Sequence, residues 1–134
     1  MANVIDIEGV GTVYSKKLHE AGVASTDALL TEGATPQGRK ALAEMTGIAD
    51  KLILKWVNRA DLFRIKGVGE QYSDLLAAAG VETVLELAQR RPDHLHQKLV
   101  ETNAAKKLVR VVPELDHVAD WVEQARKLPR VVSY

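Results

Sequence analysis

The sequence predicts an all-α protein made of two fused, pseudo-symmetric units that share one core, and three observations predict it. The stretch IEGVGTVYSKKLHEAGV, residues 7–23, returns as IKGVGEQYSDLLAAAGV from Ile65, an offset of 58. Apolar residues recur at the spacing of a helix face rather than of a strand. Alternating β patterns are scarce, apart from a short Val131-Val132 tail.

At that offset Gly9, Val10, Gly11, Tyr14, Ser15, Leu18, Ala21, Gly22, Val23 and Leu29 meet identical residues between Gly67 and Leu87. The similarity continues more weakly with a slip of two residues, aligning Thr46-Gly47 with Thr102-Asn103 and Lys51-Leu52-Ile53 with Lys107-Leu108-Val109. The repeat is therefore the half-chain, about 1–60 and about 61–134 within one domain, 1–134. Two copies of one unit are expected to superpose, with both Gly-Val-Gly turns in one backbone conformation and a positive-φ glycine in each.

In the first half, Tyr14, Leu18 and Ala21 lie at helical spacing, and Gly22 supplies the left-handed residue that ends the helix. Ser25 or Thr26 caps the next short helix. Thr35 and Pro36 read as N-cap and first-turn proline of a helix through Leu42 and Met45 that Gly47 closes. Leu52, Ile53, Trp56, Val57 and Ala60 form the apolar stripe of a further helix. In the second half, Thr83 with Glu86 gives a capping-box pattern. Pro92 opens a helix carrying Leu95, Leu99 and Val100 that Asn103 closes. Leu108 and Val109 are expected to begin another, broken by Pro113. A last helix turns Val118, Trp121 or Val122, Ala125 and Leu128 inward.

Composition narrows the function classes. Hydrophobic residues at 46% and charged residues at 27% are the balance of a soluble globular chain. No apolar run approaches the roughly 18 residues that cross a bilayer, and MANVIDIEGVG lacks the basic and hydrophobic regions of a signal peptide, so no membrane role is expected and the cytoplasm is the default location. The absence of cysteine excludes disulfides, thiol nucleophiles and cysteine-ligated zinc. Eighteen basic residues balance eighteen acidic ones, which removes the overall attraction many nucleic-acid binders use. Any phosphate contact has to be local.

The Gly-Val-Gly turns supply a local means. Glycine admits positive φ and close backbone approach, the valine wedges between helices, and the first-turn N–H groups point outward as an anion site. The pattern Ile-x-Gly-Val-Gly, then Ser15, Leu18 and Ala21-Gly22-Val23, resembles a helix-hairpin-helix motif. The duplicated arrangement, with TGIADKLILKWVNRADLFRIKGVG between the copies and LPRVVSY at the end, resembles a bacterial helix-hairpin-helix family of unassigned function, the domain-of-unknown-function family 4332, over nearly the whole chain. The resemblance implies backbone amides that hold a DNA phosphate without reading sequence, in some members with a monovalent cation on hairpin carbonyls. No other cofactor is expected.

The chain departs from Gly-x-Gly-Pro-Lys-Thr-Ala, the form common in phosphate-binding hairpins. Thr12 and Glu70 occupy the proline place, Val13 and Gln71 the lysine place. Lys16 and Lys17 still follow the first turn, whereas Glu70 and Asp74 follow the second and repel a phosphate where the helix dipole attracts it. The candidate phosphate-binding residues are therefore Gly9, Val10, Gly11, Thr12, Lys16 and Lys17, with Gly67, Val68 and Gly69 read as structural. The alternative is that both turns only make tight helix corners.

Other constellations carry less. Arg90-Arg91, Lys98, Lys106-Lys107 and Arg110 are interleaved with Asp93 and Glu101 and read as a solvated face. Arg39-Lys40 reads either as an added phosphate contact or as surface. Asp93, His94 and His96 have the wrong spacing for one helical face, so no metal site is assigned. Trp56 and Trp121 read as core, and Tyr14 and Tyr72 as repeated core positions with a hydroxyl near each turn. No nucleophile–base pair, P-loop or His-Glu-x-x-His pattern is present, so no catalysis is expected. Two functions remain: sequence-independent DNA binding at the first hairpin, and a protein-interaction module that kept the fold and lost the phosphate site. A positive stripe joining Lys16, Lys17 and Arg39 favours the first; its absence favours the second.

Overall fold

The computed structural model describes residues 3–134; the first two residues of the expected domain lie outside the described residues. After a 3-10 turn, Val4–Asp6, eight α-helices follow: α1 Gly11–Glu20, α2 Thr26–Glu32, α3 Pro36–Thr46, α4 Asp50–Leu62, α5 Glu70–Ala78, α6 Val84–Ala88, α7 Pro92–Lys106 and α8 Leu115–Lys127. Among the described residues the extended pairing is an isolated bridge between Asn3 and Ser25, so the protein is all-α. The chain divides into two compact units, Met1–Asp61 with Arg130–Tyr134, and Leu62–Pro129. The second repeat read from the sequence runs to 134; its last five residues, 130–134, belong to the first unit.

In the first unit the Val4 N–H donates to the Ala24 carbonyl at 3.0 Å, joining the N-terminal turn to the α1–α2 connection. Gly22, at φ +84°, ends α1 by donating its N–H to the His19 carbonyl, and the Val23 N–H reaches back to Leu18 at 2.8 Å. Val23 and Leu18 are both buried, which completes a Schellman end with its hydrophobic contact. Ser25 caps α2 by accepting from the Ala28 N–H, and Thr35 caps α3 by accepting from Gly38, with Pro36 at the first helical position and left-handed Gly47 at the end. On α4, Ile53, Trp56, Val57 and Ala60 of the expected stripe face the core, while Leu52 is only half-buried. The tail returns across α3 and α4: the Ser133 N–H donates to Ala34 at 2.8 Å and the Tyr134 hydroxyl to Asn58 Oδ1 at 2.7 Å.

The second unit repeats several of these devices on its own core, built from residues such as Ile65, Leu76, Leu87, Leu95, Leu99 and Trp121. Gly80, at φ +95°, ends α5, and the Val81 N–H returns to Leu76 at 2.8 Å. Thr83 caps α6 by accepting from the Glu86 N–H, while the Glu86 carboxylate accepts from the Glu82 N–H and the Thr83 hydroxyl. Helices α6 and α7 both pack on α8, which buries Val118, Trp121, Val122 and Ala125.

Two expectations for α7 and its sequel are corrected. The helix passes Asn103 and stops at Lys107, a non-glycine residue at φ +52°. No helix starts at Leu108-Val109, so Pro113 has none to break. The reason lies in Asn103, whose amide donates to the Val109 carbonyl at 3.0 Å and accepts from the Val109 N–H at 2.9 Å. The Asn103 side chain thus competes with a helix turn for both backbone groups of Val109, and Pro113, four residues on, has no N–H to offer the Val109 carbonyl. Val109 is buried in this irregular connection while Leu108 and Val111 are exposed.

Candidate functional site

Gly9 (φ +91°) and Gly11 (φ +65°) flank Val10, which is right-handed and 2% exposed. The Val10 N–H donates to the Ile7 carbonyl at 3.2 Å, so the turn closes on two buried apolar residues. Beneath it lies Trp56: a Cβ on Gly9 would stand 3.8 Å from the indole Nε1, and the Tyr14 ring packs on the same indole, centroids 5.3 Å apart and tilted by 55°.

The outer side differs in character. Gly9, Gly11, Thr12, Lys16 and Lys17 are all exposed. Val10 offers α1 no side-chain cap, and the first turn of α1 holds no acidic residue. Of the helices whose N-caps are described, α1 alone lacks both; α2, α3 and α6 are capped by side chains, and α5, α7 and α8 carry Glu70, Asp93 and Asp116 in their first turns. The first N–H groups of α1 thus face solvent at the positive end of the helix dipole. Glu8, exposed one residue before the turn, is the nearest acid in sequence.

The second turn matches the first at Gly67 (φ +95°) and at Val68, buried and donating to the Ile65 carbonyl at 3.1 Å. Trp121 takes the place of Trp56, with Tyr72 at 5.4 Å. The expectation of one shared conformation fails at the second glycine: Gly69 is extended, at φ −101° and ψ −165°, and serves as the N-cap of a helix that starts at Glu70. Each turn does contain a positive-φ glycine, but only the first contains two. The Tyr72 hydroxyl donates to the Val111 carbonyl at 3.0 Å.

Arg39 falls outside any exposed stripe. It is 5% exposed, and its guanidinium donates to the carbonyls of Gly33 at 2.8 Å and Ser133 at 2.7 Å. The surface reading the sequence offered for it gives way to a brace between the α2–α3 connection and the tail. The signal was present: Arg39, Leu42 and Thr46 stand three and four residues apart, and all three are buried on one face of α3.

Elsewhere the basic residues are dispersed or engaged. Arg90 reaches the Gly80 carbonyl, and Arg91 pairs with Asp93 at 3.2 Å. A hydrogen bond from the His94 N–H at 2.9 Å, reinforced by the Arg91 charge, holds the Asp93 carboxyl below its ordinary value. Among the described residues no three His, Asp or Glu side chains converge as metal ligands, and no helix is long and apolar enough to cross a membrane.

Comparison with known proteins gives a family and no further relative. No match was found among curated proteins or among solved structures. A family model described as Domain of unknown function (DUF4332) matches residues 8–128, which contain both glycine turns and all of α1 to α8. The chain belongs to the DUF4332 family.

Proposed function

We propose that the protein is a non-catalytic helix-hairpin-helix module that holds a nucleic-acid phosphate on its first Gly-Val-Gly turn without reading base sequence. The observation that carries this reading is the start of α1, an exposed double-glycine turn with neither a side-chain cap nor a first-turn acid. Backbone N–H groups around Gly9, Gly11 and Thr12 meet the phosphate, Val10 anchors the turn from beneath, and Lys16 and Lys17 add charge one helical turn on. Gly67, Val68 and Gly69 serve as structure, because Glu70 puts a negative charge in the first turn of α5, where it repels a phosphate.

Duplex-DNA titration across salt concentration tests the proposal. A site of two or three phosphate contacts gives a slope of about −0.9 per contact in log affinity against log salt, so binding is weak and fades toward physiological salt. Lys16→Glu with Lys17→Glu abolishes it; Glu70→Lys strengthens it or leaves it unchanged. No association with duplex or single-stranded DNA at low salt ends this reading.

A protein-interaction module is the second reading, and Val13 favours it. This residue holds the place of the hairpin lysine and is 67% exposed, an apolar side chain on the rim of the turn. The internal engagement of Arg39 and the net charge of zero point the same way. Val13→Lys separates the two: it raises DNA affinity if the turn faces phosphate and lowers affinity for a protein partner that covers Val13.

A further inference from the structure

A second cation-bearing site lies in the first unit, away from the glycine turns. Arg39 lines a cleft of about 250 Å³ together with Pro36, Asp50, Lys51, Leu54 and Tyr134. Hydrogen bonds to two carbonyls engage the guanidinium, yet among the described residues no carboxylate pairs with it. A charge so deeply buried is ordinarily neutralised by a partner, because carbonyl dipoles offset only part of its lost hydration. Two of the five guanidinium N–H donors are used, so the group keeps capacity for an oxyanion. Lys51, exposed on the first turn of α4, adds a second positive charge at the cleft, while Asp50 beside it opposes an anion. Pro36, Leu54 and the Tyr134 ring give the rest of the lining an apolar character.

We propose that this cleft binds a small oxyanion, a phosphate ester or carboxylate bearing a short apolar group, with Arg39 and Lys51 holding the charged end and Pro36, Leu54 and Tyr134 the apolar end. The volume sets the size class, since it falls just below the usual range for larger ligands. The site is independent of the DNA reading: the two involve different helices and share no residue.

Backbone-amide NMR titrations with phenyl phosphate, benzoate and inorganic phosphate, at ionic strength matched with sodium chloride, test it. Saturable shifts are expected at residues 37–39, 50–54 and 133–134, with phenyl phosphate and benzoate tighter than inorganic phosphate. Lys51→Ala, a surface change that leaves folding intact, weakens binding by about two- to fivefold, and Asp50→Asn tightens it by a similar factor. Arg39→Lys keeps the charge, loses the fork and weakens binding further. Absence of saturable shifts at these amides in the folded wild-type protein overturns the proposal, as does an affinity unchanged in both Lys51→Ala and Asp50→Asn. Shifts confined to residues 9–17 assign the anion to the glycine turn and also overturn it.

Discussion

A Cβ placed on Gly67 falls 3.0 Å from Nε1 of Trp121, whereas one on Gly9 falls 3.8 Å from Nε1 of Trp56. Both glycines hold a positive φ, so alanine at either is expected to cost about 1 kcal/mol or more through backbone strain. Gly67→Ala must also displace the indole and is the more damaging of the two. Gly11→Ala is strained as Gly9→Ala is; Gly69→Ala, extended and facing open space, leaves stability nearly unchanged. Urea unfolding of the four variants gives the ranking, and equal losses at Gly11 and Gly69 contradict it.

The two tyrosines separate in the same way. Tyr72 donates its hydroxyl to the Val111 carbonyl, while the Tyr14 hydroxyl has no hydrogen-bond partner among the described residues. Tyr72→Phe is expected to lose about 0.5–1.5 kcal/mol and to speed amide exchange in residues 107–114, with Tyr14→Phe close to neutral. Exchange in that segment unaffected by Tyr72→Phe would show that the bond does not hold it.

Lys107 takes a left-handed conformation that glycine adopts without a steric penalty. Lys107→Gly is therefore expected to stabilise the protein by about 0.5–1 kcal/mol, unlike most glycine substitutions. A loss of stability in thermal unfolding refutes the assignment of strain there.

Arg39→Met is expected to cost about 2–3 kcal/mol, because it leaves the Gly33 and Ser133 carbonyls without their charged donor. Deleting residues 133–134 removes one of those acceptors, so the two changes together should cost less than their sum. Strict additivity in a double-mutant cycle means that the tail and Arg39 are not coupled.

What the sequence discloses is local chemistry. Ser25, Thr35, Thr83, Gly22, Gly47 and Gly80 begin or end helices where their side chains or positive φ dictate, and each was readable without knowing what lay nearby. The first turn was readable to the same depth: its positive-φ glycine and its buried valine follow from the motif, whereas Lys16 and Lys17 stand outside the motif's lysine place. Contacts that depend on a distant neighbour were not. Gly11 and Gly69 are the same residue in the same motif yet differ in conformation. Gly38 carries no motif, but a Cβ there would overlap the Glu32 carbonyl oxygen, so the approach of the two helix ends excludes every larger residue. Periodicity at Leu108-Val109 suggested a helix because it weighs apolar spacing and not the Asn103 amide that captures Val109.

The returning tail also bears on the order in which the protein is made. Residues 62–129 leave the ribosome before residues 130–134, so the second unit has all its chain while the first still lacks its closing segment. At about 5–20 residues per second, the addition of residues 130–134 makes that interval about 0.25–1 s long. Throughout it Arg39 has no Ser133 carbonyl to bond, and Ala34 and Asn58 lack their tail donors. The first unit, although it opens the chain, is thus the later of the two to have its full set of residues.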